Sequence, residues 1–315
     1  MRALPLVIIT VIVLFSGCAR QTSKGIDINI HTGTRGLEME FLKNAPPTQV
    51  PEGSTFIVGV VLKNRGASDI HRGVLALGIE DDYVQVDSWR GNIIKSSYND
   101  RLVWFDLEGK TRFNPMGEQL PVQVQLISDY LDKQTETYTT TILLTACYQY
   151  KTLFNDEVCI DTDIYGTTKE EKVCTVKDKV YGSQGAPVAI TKVETRIVPH
   201  SDYEDVLIPE FVITIHNRGI GDVIRPSVYE AACTSSSLSH DDLNVVRVEA
   251  TLSGRRLKCS PSELKLKENG QNKVRCTLTT GIDKEMTSYL APLVVELDYG
   301  YMFTISRDVE IRRTV

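Results

Sequence analysis

Two stretches of this 315-residue chain lie 153 positions apart and share a pattern that confines both to β-structure. In the first, Phe56, Val58, Val60 and Leu62 alternate with other residues, and the run ends in Asn64-Arg65-Gly66, then Asp69 and Ile70. In the second, Phe211, Ile213 and Ile215 alternate in the same phase and run into Asn217-Arg218-Gly219, then Asp222 and Val223. Period two sends successive side chains to opposite faces, so each run is a strand with one buried face. A slip of one residue would bury Lys63 or His216 instead, so the pattern fixes register as well. So long an offset marks a duplicated domain rather than a solenoid. Asn-Arg-Gly is expected to turn each strand out of its sheet through the positive φ that Asn and Gly tolerate.

The alternation recurs through Val122, Val124 and Leu126, through Val246, Val248, Ala250 and Leu252, and from Leu293 to Ile305 and on to Val309 and Ile311. Turn residues separate the runs, as at Glu52-Gly53-Ser54, Asn114-Pro115-Met116-Gly117 and Asn269-Gly270. Only Pro226 to Leu243 lacks the pattern, and a short helix or long loop is expected there. The fold class is therefore all-β: two tandem immunoglobulin-like antiparallel β-sandwiches after an N-terminal signal peptide. The charged stretch 166–186, which carries Cys174 and ends in Gly182-Ser183-Gln184-Gly185, divides a first domain, 25–165, from a second, 187–315. Each is expected to fold around its own apolar centre. PEGSTFIVGVVLKNRGASDI and PEFVITIHNRGIGDV resemble the opening strands of immunoglobulin-like modules of prokaryotic surface proteins, including the CARDB type. GLEMEFLKNAPP and the cysteine-containing middle resemble exported proteins of archaea, a likeness that implies no activity.

Residues 1–17 join one cation, Arg2, to an apolar run of 14 residues from Leu4 to Gly17. That is short of the ~20 residues a spanning helix needs, and it reads as an export signal. Phe15-Ser16-Gly17-Cys18 resembles a lipobox, which implies a prokaryotic lipoprotein cleaved after Gly17 with Cys18 as lipid acceptor. Residues 18–24 would then be the lipidated cysteine and a polar tether. An ordinary cleaved secretory signal and an uncleaved anchor are the alternatives. Two or more acyl chains hold a protein stably, where one does so only transiently.

With Cys18 given to lipid, six of the seven cysteines remain, an even number that outside the cytoplasm favours disulfides. Cys259 and Cys276 share the inward phase of Leu257, Val274 and Leu278, and should pair, closing a 17-residue loop worth ~3 kcal/mol. Cys147, Cys159, Cys174 and Cys233 allow two schemes. If Lys151 to Asp156 forms a hairpin, Cys147 meets Cys159 and Cys174 meets Cys233. Alternatively Cys159 meets Cys174, and Cys147 reaches across the domains. Spacing does not decide between them.

Metal ligation by cysteine is not expected from these spacings, and the five histidines are scattered singly; no metal or cofactor is assigned. Asp161, Thr162, Asp163, Glu170 and Glu171 could gather oxygens, without the glycine and closing glutamate of a calcium loop, and read as a solvated linker. Ser239-His240-Asp241 and His200-Ser201-Asp202 set catalytic residue types side by side, whereas triads converge from distant positions, so both read as polar loops. A net charge of -6 without a basic stripe excludes nucleic acid as an expected partner. Trp89 and Tyr98 fall in an aromatic cluster with Tyr83, Trp104 and Phe105, and on an open face they could stack on sugars. The functional expectation is a non-enzymatic binding, adhesion or structural module, extracytoplasmic and lipid-anchored to the membrane, with a protein or glycan partner. A carbohydrate-binding lipoprotein is the alternative, and an extracytoplasmic hydrolase the remote one.

Overall fold

The computed structural model describes residues 29–167, 171–234, 238–268, 270–284 and 288–314. The signal sequence, Cys18 and its tether lie outside them. Strands are numbered along the chain. One sheet runs in the order β1 (Leu37–Phe41), β3 (Thr55–Asn64), β8 (Gln119–Ser128), β5 (Val84–Arg90). A second runs β10 (Lys179–Val180), β11 (Val188–Pro199), β12 (Val206–Asn217), β18 (Lys273–Thr277), β16 (Lys258–Ser260), with β19 (Ile282–Asp283) also on β12. The third runs β15 (Arg255–Arg256), β14 (Val245–Leu252), β20 (Ser288–Arg312), β9 (Thr137–Asp161), β4 (Ile70–Gly78), β7 (Leu102–Leu107), β6 (Ile94–Lys95). Three short strands border it: β2 (Gln49–Pro51) and β13 (Asp222–Ile224) on β20, and β17 (Glu263–Lys265) on β14. Among the described residues every strand pairing is antiparallel except β2 with β20.

The chain is all-β, and its two sandwiches share the third sheet. β9 and β20, each 25 residues long, pair from Thr137↔Arg312 to Asp161↔Ser288 without a register shift. At ~3.3 Å per residue such a ribbon is ~80 Å long, enough to back both sandwiches. The even residues of β9, from Thr140 through Leu144, Tyr148 and Thr152 to Phe154, are buried on one face. On that face Tyr148 meets β1 of the four-stranded sheet, while Thr152 donates to the Val188 carbonyl of the six-stranded sheet at 2.6 Å. β9 begins beside β4 of its own half and ends in the second half. β20 begins beside β14 and ends in the first, where Glu310 donates to the Thr48 carbonyl and Arg313 to that of Glu136. The halves thus exchange long strands reciprocally, and buried apolar side chains of both form one connected core.

This corrects the expectation of two independent domains, 25–165 and 187–315: the ten-stranded sheet is continuous across the division. It also corrects the hairpin at Lys151 to Asp156, where no glycine or proline breaks the alternation and β20 pairs throughout. The described stretch from 171 to 186 is fastened to β9 by the Cys159–Cys174 disulfide and by Lys179 and Tyr181, which both donate to Asp156. The described residues between Pro226 and Leu243 form a 3-10 turn, the short helix α1 (Tyr229–Cys233) and a second 3-10 turn at His240–Asp242. Cys147–Cys233 ties α1 to the outer face of the large sheet, and Cys259–Cys276 joins β16 to β18. Of the two schemes for the middle cysteines the structure contains the second. By loop-closure entropy the 86-residue separation of Cys147 and Cys233 makes that bond worth ~4–5 kcal/mol.

A candidate binding groove beside a four-tyrosine centre

The duplicated motif closes at the middle of the ribbon. Gln149 pairs with Gly300, and Tyr148, Tyr150, Tyr299 and Tyr301 surround that pair, their ring centroids 5.5 to 6.4 Å apart. Tyr148 Oη accepts from the Leu37 amide that opens β1, at 3.1 Å, and Tyr299 Oη from the Val188 amide that opens β11, at 3.4 Å. Tyr150 Oη donates to Asn64 Oδ1 and accepts from the Ser68 amide. Tyr301 Oη likewise donates to Asn217 Oδ1 and accepts from the Gly221 amide. In both loops the asparagine amide also donates to the carbonyl four residues on, at 2.8 Å, while its Oδ1 accepts from the glycine amide two residues on. Burial drives the Tyr148 and Tyr299 hydroxyls well above the ordinary phenol range and pushes Tyr301 up to about 12. All four therefore act as neutral hydrogen-bonding groups that pin loops.

The glycine of Asn-Arg-Gly has a different cause from the one expected. Neither Gly66 nor Gly219 has positive φ. A Cβ on Gly66 would lie 2.0 Å from Tyr150 Oη, and one on Gly219 would lie 2.2 Å from Tyr301 Oη. Only hydrogen leaves room for the hydroxyl that holds the loop.

Beside this centre a groove of about 370 Å³ opens between β1 and residues 301–305 of β20, floored by Met39, Phe303 and Ile305, with Arg35 and Arg218 at its mouth. Ile220, on the loop the tyrosine pins, is 95% exposed at its rim. β1 is the last strand of its sheet. The bonds Arg65 N to Gly36 O and Leu42 N to Gly59 O turn the even residues of β1 toward β3, so the peptide groups of Met39 and Phe41 face the open edge. On β20, β13 stops at Met302 and β2 starts at Glu310, which among the described residues leaves 303–309 paired on the β9 side alone.

Other residues singled out from the sequence are placed as follows. Trp89 is 5% exposed and its indole donates to the Asp100 carbonyl at 2.6 Å, so it offers no face to a sugar. Tyr98 is 79% exposed without Trp89 beside it as a second stacking surface, which corrects the reading of the two as a binding pair. Trp104 packs on the outer cluster around the Cys147–Cys233 bond. Lys172 Nζ lies 2.7 Å from Asp161 and 3.5 Å from Asp163, so an ammonium already faces two of the carboxylates considered for calcium, while Glu170 lies outside the described residues. Ser239 caps the His240–Asp242 turn, and His200 Nδ1 accepts from the Asp202 amide, so both polar triplets are loop-forming.

No family model matches the chain, and no curated protein does. Among solved structures it is similar to a cohesin in a cohesin–dockerin complex from Clostridium thermocellum, with 12% identity, a TM-score of 0.27, 38% of this chain covered and 84% of that one. A cohesin module of a family 33 glycoside hydrolase from Clostridium perfringens gives 11%, 0.26, 37% and 84%. The partial N-terminal region of an enterococcal surface protein gives 10%, 0.17, 89% and 86%. Superpositions this loose carry neither fold nor function to this chain.

Proposed function

We propose that this protein is an exported, lipid-anchored, non-enzymatic module of the cell envelope that holds a protein partner outside the cytoplasm. The observation that carries the extracytoplasmic address is the pairing of all six cysteines beyond Cys18 into three disulfides, which form and persist chiefly in oxidising compartments. The most strongly shifted titratable groups support it, because each is spent on structure. The four central tyrosines pin loops. Burial raises the Asp156 carboxyl, but Lys179 and Tyr181 outweigh it and hold the group below its usual value. Burial and that same bond push Tyr181 upward. The carbohydrate reading loses its main residue with Trp89, and the hydrolase reading has no observation behind it. Cys18→Ser should move the protein from the membrane fraction to the soluble fraction or leave it unprocessed. Retention of processed protein in membranes after alkaline washing would refute the lipid anchor.

A further inference from the structure

The internal duplication shows how the groove of the first sandwich is to be filled. Leu37 corresponds to Val188, Tyr148 to Tyr299 and Tyr150 to Tyr301, each pair holding the same hydrogen-bonding place. Continued along the unbroken ribbon, the offset of these pairs, 151 residues, sets Phe154 against Ile305 and Asp156 against Arg307. In the second sandwich the corresponding groove, between β11 and β9, is closed by the chain itself. β10 adds to the edge of β11 through Lys179↔Val193 and Val180↔Lys192. Next to it, Tyr181 sets its ring edge-on to Phe154 at 4.7 Å, and both Lys179 and Tyr181 donate to Asp156.

In the first sandwich nothing among the described residues does this. The residues before β1 run the other way: Gly33 accepts from the Gly185 amide and Asn29 lines a cleft with Asn155 and Asp156. Among the described residues the edge of β1 stays open and Arg307 has no carboxylate partner; Arg307 is exposed over the Phe41 ring at 5.0 Å, just past the residues that line the groove, and Phe41 and Ile305 are only partly buried. The acceptor of the closed groove is thus replaced by a cation in the open one.

We infer that the open groove takes an extended strand from a partner protein, added to β1 by main-chain hydrogen bonds, with an acidic side chain on Arg307 and an aromatic one on Phe41 and Ile305. The inference rests on the binding-module reading above and names that module's ligand. Main-chain pairing supplies affinity and the two side-chain subsites supply specificity. A strand with lysine in the acidic place, as β10 has, meets Arg307 as a like charge and is rejected.

The test uses the purified full chain and two synthetic peptides of the sequence Val176 to Ser183, one native and one with glutamate in place of Lys179. The glutamate peptide should bind about tenfold more tightly than the native one by fluorescence anisotropy, and Arg307→Glu should reverse that order. N-methylating the peptide bond that faces Phe41 should abolish binding while leaving the protein untouched. Absence of binding by either peptide at millimolar concentration overturns the inference, as does a preference that Arg307→Glu leaves unchanged. Binding that appears only after removal of the residues before Asn29 also overturns it, because the occupant would then be the chain's own N-terminal segment. The envelope reading is judged separately, by fractionation of Cys18→Ser cells.

Discussion

Residues 187–315 expressed alone should not give a monomeric, cooperatively folding domain. The fragment keeps β11 to β20 and the Cys259–Cys276 bond, but loses all 25 pairing partners of β20 on β9. One whole edge of the longest strand is then bare, alternating apolar residues line it, and Cys233 has no Cys147 to meet. Unpaired edges of this length recruit other chains. The C-terminal part of β20 also loses Thr48, Glu136 and the carbonyls of Leu131 and Lys133 that receive Arg313. Size-exclusion chromatography should show soluble aggregate or an expanded chain, and co-expression with 1–186 should restore a compact complex. A monomeric fragment with a sharp unfolding transition would show that the strand exchange is dispensable.

The second large effect is expected at the glycines of the repeated motif. In Gly219→Ala the new methyl meets Tyr301 Oη at 2.2 Å and Pro187 Cβ at 2.7 Å, overpacking that should cost ~2–3 kcal/mol. Tyr301→Phe alone forfeits the bond to the Gly221 amide, at ~1 kcal/mol, yet in the alanine background it removes the nearest obstacle. The double variant should therefore be more stable than Gly219→Ala alone, with a coupling of ~1–2 kcal/mol by urea unfolding. Gly66→Ala should be worse and largely beyond rescue by Tyr150→Phe. There the Cβ also meets the carbonyl oxygens of Gly185 at 2.7 Å and Arg35 at 2.8 Å, which are backbone and cannot be trimmed. Additive effects at Gly219 and Tyr301 would show that the hydroxyl does not dictate the glycine.

What the sequence discloses and what it hides follow from the range of each interaction. Alternation is local, so the buried layer of β3 (Val58, Val60, Leu62) and that of β12 (Phe211, Ile213, Ile215) are both legible from spacing. The pairing of Cys259 with Cys276 is legible too, because a shared inward phase on neighbouring strands is also a local property. The strand exchange is not, since a strand alternates identically whether its partner lies in its own half or the other. One signal was available: residues 137–161 contain neither glycine nor proline, which argues against a hairpin between Cys147 and Cys159. Trp89 was obscured by a β-bulge. A register shift between Val86 and Ser88 inserts one residue, reverses the phase set by Val84 and Val86, and turns the indole into the core. The groove was hidden for the same reason as the exchange, because an open strand edge is defined by the strand that is not beside it. Once the tyrosine pairs fix the correspondence of the halves, however, the contrast between Asp156 and Arg307 can be read from the sequence alone.

The central claim is that reciprocal exchange of β9 and β20 makes two sandwiches one cooperative unit, and scanning calorimetry with the disulfides intact tests it most directly. Trp89 and Trp104, the two tryptophans of the chain, both lie in the first half, so their fluorescence reports that half while far-ultraviolet circular dichroism reports both. A single heat-absorption peak is expected, with equal calorimetric and van't Hoff enthalpies and with fluorescence and dichroism melting together. Two resolved peaks, with tryptophan fluorescence following only one of them, would contradict it.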